Sequence, residues 1–307
     1  MAGPSNSTDV RASSVGCLDL VGLPALMASA SGRPEIAIGL IDGPVALDHS
    51  DLATENIREV SGDLPAACAD ASDAACAHGT FVAGILLARR GSPAPAICPG
   101  CSLLVRPIFA GAPINGEEMP SATAEELSRA IFDVIDAGAR VINLSVALEG
   151  ASPRGERGLR EALDFALRRG VVVVAAAGNQ GSVGSSVITG HPWVIPVVAY
   201  DLRGRPMDLS NLGASIGRRG LGAPGEAITS LGTTAEPITM GGTSAATPFV
   251  TGAVALIWSE FPAATAAEVR SAVIWAAAPR RTSIVPPLLN ASAGYRAMSG
   301  GSQLTQT

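Results

Sequence analysis

No cluster of lysine and arginine interrupts the 307 residues, and the formal charge is −6. Phosphate recognition needs concentrated positive charge, so this composition argues against nucleic acid as a partner. Nor is there a run of roughly 18 apolar residues, the minimum for a helix that spans a bilayer. The opening stretch MAGPSNSTDVRASSVG lacks both the basic start and the apolar core of a secretory signal. The expectation is a cytoplasmic protein with no membrane partner. Cysteine is scarce: Cys17, Cys68, Cys76, Cys98 and Cys101 make an odd count that leaves at least one thiol free. Reduced structural thiols are the expected state, with a local pairing of Cys68 with Cys76 and of Cys98 with Cys101 open to an oxidising setting. The spacing from Cys68 to Cys76 is too wide for a compact zinc-ligand pair, so no metal is expected there. No internal repeat or linker divides the chain. It reads as an N-terminal extension over 1–16, one domain over 17–296 and a flexible polar tail over 297–307.

What is abundant is apolar: 47% of the residues are hydrophobic and only 16% are charged. EIAIGLID, SLLVRPIF, ARVINLSV, VVVVAAAGN and WVIPVVAYD are continuous Val/Ile/Leu-rich runs, and helical patterns alternate with them. Such runs indicate strands of a parallel sheet buried on both faces, hence a doubly wound α/β fold whose site lies beyond the carboxyl ends of the strands. Helix signals follow the same scheme. HGTFVAGILLARR is read as starting at His78, Ser121 with Glu125 as a helix start, and Gly138 and Gly170 as helix stops. The stretch from Gly241 onward, GGTSAATPFVTGAVALIWSEF, is apolar on every side and places Ser244 at the amino end of a buried helix, where free N–H groups gather.

Four polar residues stand at strand ends or helix starts on that one edge: Asp42, His78, Asn179 and Ser244. Taken singly, each has an ordinary explanation as a turn residue, a cap or a satisfied imidazole. Taken together they carry the order aspartate, histidine, serine of a nucleophilic triad.

LIDGPVALDHSDL, AHGTFVAGI, AAAGNQG and GGTSAATPFVTGAVAL resemble the aspartate, histidine, asparagine and serine motifs of the subtilisin-like (S8) serine peptidases, over about Leu20 to Ala278. The resemblance implies that Ser244 is the nucleophile, that His78 is its general base and that Asp42 orients His78. It implies further that the Asn179 amide and the Ser244 N–H hold the oxyanion. A substrate strand would run along Ser145, Val146, Ala147 and Leu148, with Ala176, Ala177 and Gly178 opposite. LIDGPV, ACAHGT, RPIF, HPWVIPVVAYDLRGRPM and LSNLG also look like the proteases of cyanobactin-type maturation, which trim ribosomally made precursor peptides. In that group a macrocyclase carries a helical insertion between the aspartate and histidine motifs.

Two departures temper the resemblance. VINLS leads into Ala147 and Leu148 where the family pattern would bring Gly-Gly, so bulkier walls are expected. The asparagine-rich calcium loop of secreted members has no counterpart in ARRGSPAPAICPG, so no cofactor or metal is expected. The span from Asp42 to His78 is short, polar and without helical periodicity, which favours hydrolysis over cyclisation. The reading is a serine endopeptidase that removes a leader from a precursor peptide; the rivals are a general intracellular protease, a macrocyclase and an inactive peptide-binding module. The oligomeric state is not readable.

Overall fold

The computed structural model describes residues 16–52, 54–109, 121–148, 152–276 and 281–304. In chain order its strands are β1 (Ala37–Asp42), β2 (Ile57–Glu59), β3 (Ser102–Pro107), β4 (Ser121–Ala122), β5 (Val141–Leu144), β6 (Ala147–Leu148), β7 (Val172–Ala176), β8 (Val194–Tyr200), β9 (Leu221–Pro224), β10 (Ile228–Ser230) and β11 (Ile238–Met240). Seven of them form one parallel sheet in the order β2-β3-β1-β5-β7-β8-β9. The apolar runs became its centre because branched side chains pack well on a pleat covered from both sides: β1, β3, β5 and β8 are buried at every position.

Helices cover both faces. The Ala124–Asp136 and Pro153–Arg169 helices pack on each other and reach β1, β3 and β7. The Thr243–Glu260 helix runs along β5, β7, β8 and β9 and against the Ala74–Leu87 helix. That helix is buried nearly throughout, as expected of a segment apolar on every side. β1 lies between β3 and β5, so the chain leaves it in opposite directions across the sheet. Asp42, the last residue of β1, therefore stands at the switch point where open α/β sheets bind ligands.

Several boundaries differ from the sequence reading. The histidine helix begins at Ala74, not at His78, because the Asp73 side chain caps it by accepting the Ala75 N–H at 2.9 Å. The next helix is started by Thr123 with Glu126 in a reciprocal capping box, while Ser121 belongs to β4. Gly170 does end its helix, in a left-handed conformation. The last helix, Ala291–Leu304, runs into the segment read as a flexible tail. Tyr295 packs on Phe261 with ring centroids 5.4 Å apart, and the Ser299 hydroxyl donates back to the Tyr295 carbonyl at 3.1 Å. Most of the 1–16 extension and the last three residues lie outside the described residues.

Cys68 and Cys76 form a disulfide with Cα atoms 5.6 Å apart, which corrects the expectation of reduced thiols for that pair. The structure brings the two together because the backbone of Ala66 and Cys68 pairs with Val45, three residues after Asp42, beside the first turn of the histidine helix. Cys98 and Cys101 are buried and unbridged. Among the described residues no helix is long and apolar enough to cross a membrane.

Candidate active site

Asp42 and His78 meet because two backbones can touch. A Cβ on Gly79 would lie 2.3 Å from the Pro44 carbonyl oxygen, so only glycine lets the histidine helix close on the loop that follows β1. At that distance the His78 Nδ1–H donates to Asp42 Oδ1 at 2.6 Å, and the same oxygen accepts the Gly43 N–H at 2.7 Å. Both side chains are buried, Asp42 completely. Burial alone would push the imidazole down, but the Asp42 charge and hydrogen bond together outweigh it and leave His78 above its ordinary value of 6.5. The other ring nitrogen, Nε2, is buried and takes no hydrogen bond among the described residues. A buried imidazole held at one nitrogen and open at the other is an oriented base.

Ser244 is the second residue of the Thr243–Glu260 helix and is half-buried. The turn before it needs Gly242, whose φ of +104° is a conformation that side chains resist. A Cβ there would also meet the Asn179 amide at 3.0 Å. Asn179 follows β7 and is exposed. Its Oδ1 accepts both the N–H and the hydroxyl of Thr243 at 2.9 Å, so the acceptor end is engaged twice. The Nδ2 donor is thereby the end left for an incoming oxygen.

The four residues share one sheet edge. Ile41 pairs with Leu144, and Leu144 pairs with Ala175, so Asp42, Ser145 and Ala176 leave three adjacent strands side by side. The Ser145 hydroxyl donates to the Ser244 carbonyl at 3.2 Å, which ties the serine helix to that edge.

The residues read as substrate-facing divide. Val146, Ala176 and Gly178 are half-buried and Ala177 is buried. Ala147 and Leu148 form β6, paired in parallel with β4 on one edge. Ser145 is only 4% exposed, and its side chain faces the protein rather than the cleft. Sequence reasoning missed three supports. Thr243 anchors Asn179, as described. Asn211, in LSNLG, accepts through Oδ1 from the Gln180 and Ser182 N–H groups at 3.1 and 3.0 Å and donates to Gln180 Oε1 at 2.7 Å, which holds the loop after Asn179. Asn143 sits fully buried in β5 and connects Ser145 with Thr251. The signal for Asn143 was available, since an amide inside VINLS interrupts an apolar strand and must find partners.

The Subtilase family model (Peptidase_S8) matches residues 33–296. Subtilisin DY of Bacillus licheniformis is 32% identical over 241 residues, covering 77% of this chain and 81% of the relative. The chain spans 61% of the length of subtilisin E of Bacillus subtilis (strain 168). Among solved structures, a mutant of the protease domain of PatA matches with a TM-score of 0.78 and 30% identity over 90% of this chain and 99% of that one. The prenylagaramide maturation protease PagA matches with a TM-score of 0.76 and 27% identity, over 90% and 98%. With the family model covering most of the sequence, the chain belongs to the Subtilase family and is a subtilisin-like serine endopeptidase.

Proposed function

We propose that this peptidase removes a leader from a ribosomally made precursor peptide, bound as an extended strand, and that water ends the reaction. Its likeness to PatA, a patellamide maturation protease, and to PagA supports the substrate class. In this reading the Ser244 hydroxyl attacks the scissile carbonyl while His78 Nε2 takes its proton. Asp42 holds the imidazole by Nδ1 and stabilises the cation that forms. The Asn179 Nδ2 and the Ser244 N–H receive the oxyanion. Protonated His78 then hands its proton to the leaving amine, and water repeats the sequence on the acyl-enzyme. The free edge of the Ser145–Leu148 segment and the Ala176–Gly178 backbone are the proposed rails for the substrate strand.

Asn179→Ala is expected to lower kcat by about 10²–10³ with KM nearly unchanged, a scale taken from a subtilisin rather than from this chain. Raised KM at constant kcat would make Asn179 a turn residue.

The observation that carries hydrolysis over cyclisation is the span between Asp42 and His78. Among its described residues it holds β2, a short 3₁₀ turn at Thr54–Asn56, the loop closed by Cys68–Cys76, and then the first turn of the histidine helix. No separate helix is there to exclude water from an acyl group. A precursor peptide incubated with the enzyme should yield linear fragments, each cut adding the mass of one water. A macrocycle without that water as the main product would make the enzyme a transamidase.

We propose a cytoplasmic location, which the scarcity of cysteine and the unbridged Cys98 and Cys101 support and the Cys68–Cys76 disulfide opposes. A reducing compartment opens disulfides, so titration of the protein rapidly trapped from its own cells should then count all five cysteines as thiols. A count of three would place it in an oxidising compartment.

A further inference from the structure

Pro248 leaves a gap in the helix that carries Ser244. In a regular helix the carbonyl of Ser244 accepts from the N–H of residue 248, four positions on, and proline has none. The carbonyl deprived of its partner belongs to the nucleophile's own residue, near the buried end of a helix packed against the sheet. The Ser145 hydroxyl donates to it at 3.2 Å from the end of β5.

The direction of that bond follows from the orientation of the Asn143 amide behind it, on a Thr251 hydroxyl that also lies 3.2 Å from the Thr247 carbonyl. Ser145 Oγ accepts from Asn143 Nδ2 at 2.9 Å, and Asn143 Oδ1 accepts from the Thr251 hydroxyl at 2.8 Å. An amide donates only through nitrogen, so the single proton of Ser145 is left for the Ser244 carbonyl. Ser145, Asn143 and Thr251 are all buried, so solvent does not compete for these groups. The chain of bonds begins and ends on one helix: Thr251, two turns after Ser244, returns through Asn143 and Ser145 to Ser244 itself.

We propose that Ser145 is a positioning residue that supplies the hydrogen bond Pro248 cannot, and that it thereby fixes the peptide plane of Ser244 against β5. This rests on the reading of Ser244 as nucleophile. The Ser244 carbonyl is attached to the Cα that carries the nucleophilic side chain, so the Ser145 side chain acts on the chemistry through the Ser244 backbone and not by touching substrate.

The test is a double-mutant cycle of Ser145→Ala and Pro248→Ala, with kcat, KM, the rate of fluorophosphonate labelling and the melting temperature measured for all four proteins. In the parent background Ser145→Ala should lower kcat and the labelling rate about 10- to 100-fold, the scale of a small misplacement of a reacting group, with KM nearly unchanged. Pro248→Ala returns an N–H to the Ser244 carbonyl, so in that background the same substitution should cost less than about threefold. Equal losses in both backgrounds would overturn the proposal, and so would a raised KM at constant kcat, which would make the Ser145 side chain a substrate contact. Should the parent fail to label at Ser244, the nucleophile reading falls. The coupling of residues 145 and 248 is then still decided by the melting temperatures: non-additive shifts uphold the substituted hydrogen bond and additive ones refute it.

Discussion

Ser244→Ala is expected to lower kcat for peptide hydrolysis by about 10⁶ and to end labelling by a serine-directed fluorophosphonate. The size of the loss is that known for subtilisin triads rather than one obtained from this chain. The substitution removes one oxygen from a half-buried residue whose hydroxyl makes no hydrogen bond among the described residues. The local fold has other anchors: the Gly242 N–H donates to the Gly225 carbonyl at 2.7 Å, and Thr243 holds Asn179 twice. Melting temperature should therefore stay close to that of the parent, and the inactive protein should still bind its peptide. Weak cleavage above the rate in water is expected to persist, since oxyanion stabilisation and substrate binding alone retain about 10³–10⁴. Cleavage near the parent rate would remove Ser244 from the mechanism. Loss of activity together with loss of folding would not occur if the anchors described are sufficient, and circular dichroism separates the two.

The sheet and the four polar residues at its edge were legible because each is announced locally. A short branched run such as EIAIGLID, alternating with helical segments, indicates a strand covered on both faces, and its terminal Asp42 then emerges where such sheets bind ligands. The helix after Gly242 announces itself by being apolar all round. What escaped was whatever depends on partners distant in sequence. Asp73 was hidden as a cap because it lies in a polar loop where several carboxylates compete for the part. The Cys68–Cys76 bond depends on Val45 drawing Ala66 and Cys68 toward the histidine helix, which no cysteine spacing reveals. Ser145 was placed along the substrate strand by the family resemblance, which says nothing of where its side chain turns. Its hydroxyl donates to the Ser244 carbonyl, about a hundred residues later in the chain. The final helix was missed because Gly and Ser residues there oppose helix by propensity, and the Phe261–Tyr295 contact overrides them.

Replacing the buried carboxylate separates two effects of the same bond. Asp42→Ala should lower kcat by about 10⁴, less than loss of the serine, because the imidazole survives but loses its orientation; this scale too comes from a subtilisin. The pH dependence distinguishes this from general damage. In the parent, burial lowers the His78 pKa while the charge and hydrogen bond of Asp42 raise it further than burial lowers it, so it ends above 6.5. The base must be neutral to accept the serine proton, so kcat/KM of the parent should fall on acidification with a midpoint above 6.5. In the variant both raising contributions are gone and burial remains, so the acid limb of the residual activity should move below 6.5. Stability moves the other way. A histidine with a raised folded-state pKa contributes stability that is fully present below its unfolded value and is lost as pH rises through the folded value. The parent should thus gain activity and lose this contribution over the same window, whereas the variant, with a lowered pKa, should lose stability on acidification instead. An acid limb that stays in place in Asp42→Ala would mean that the titrating group is not His78, and the assignment of the base would fall with it.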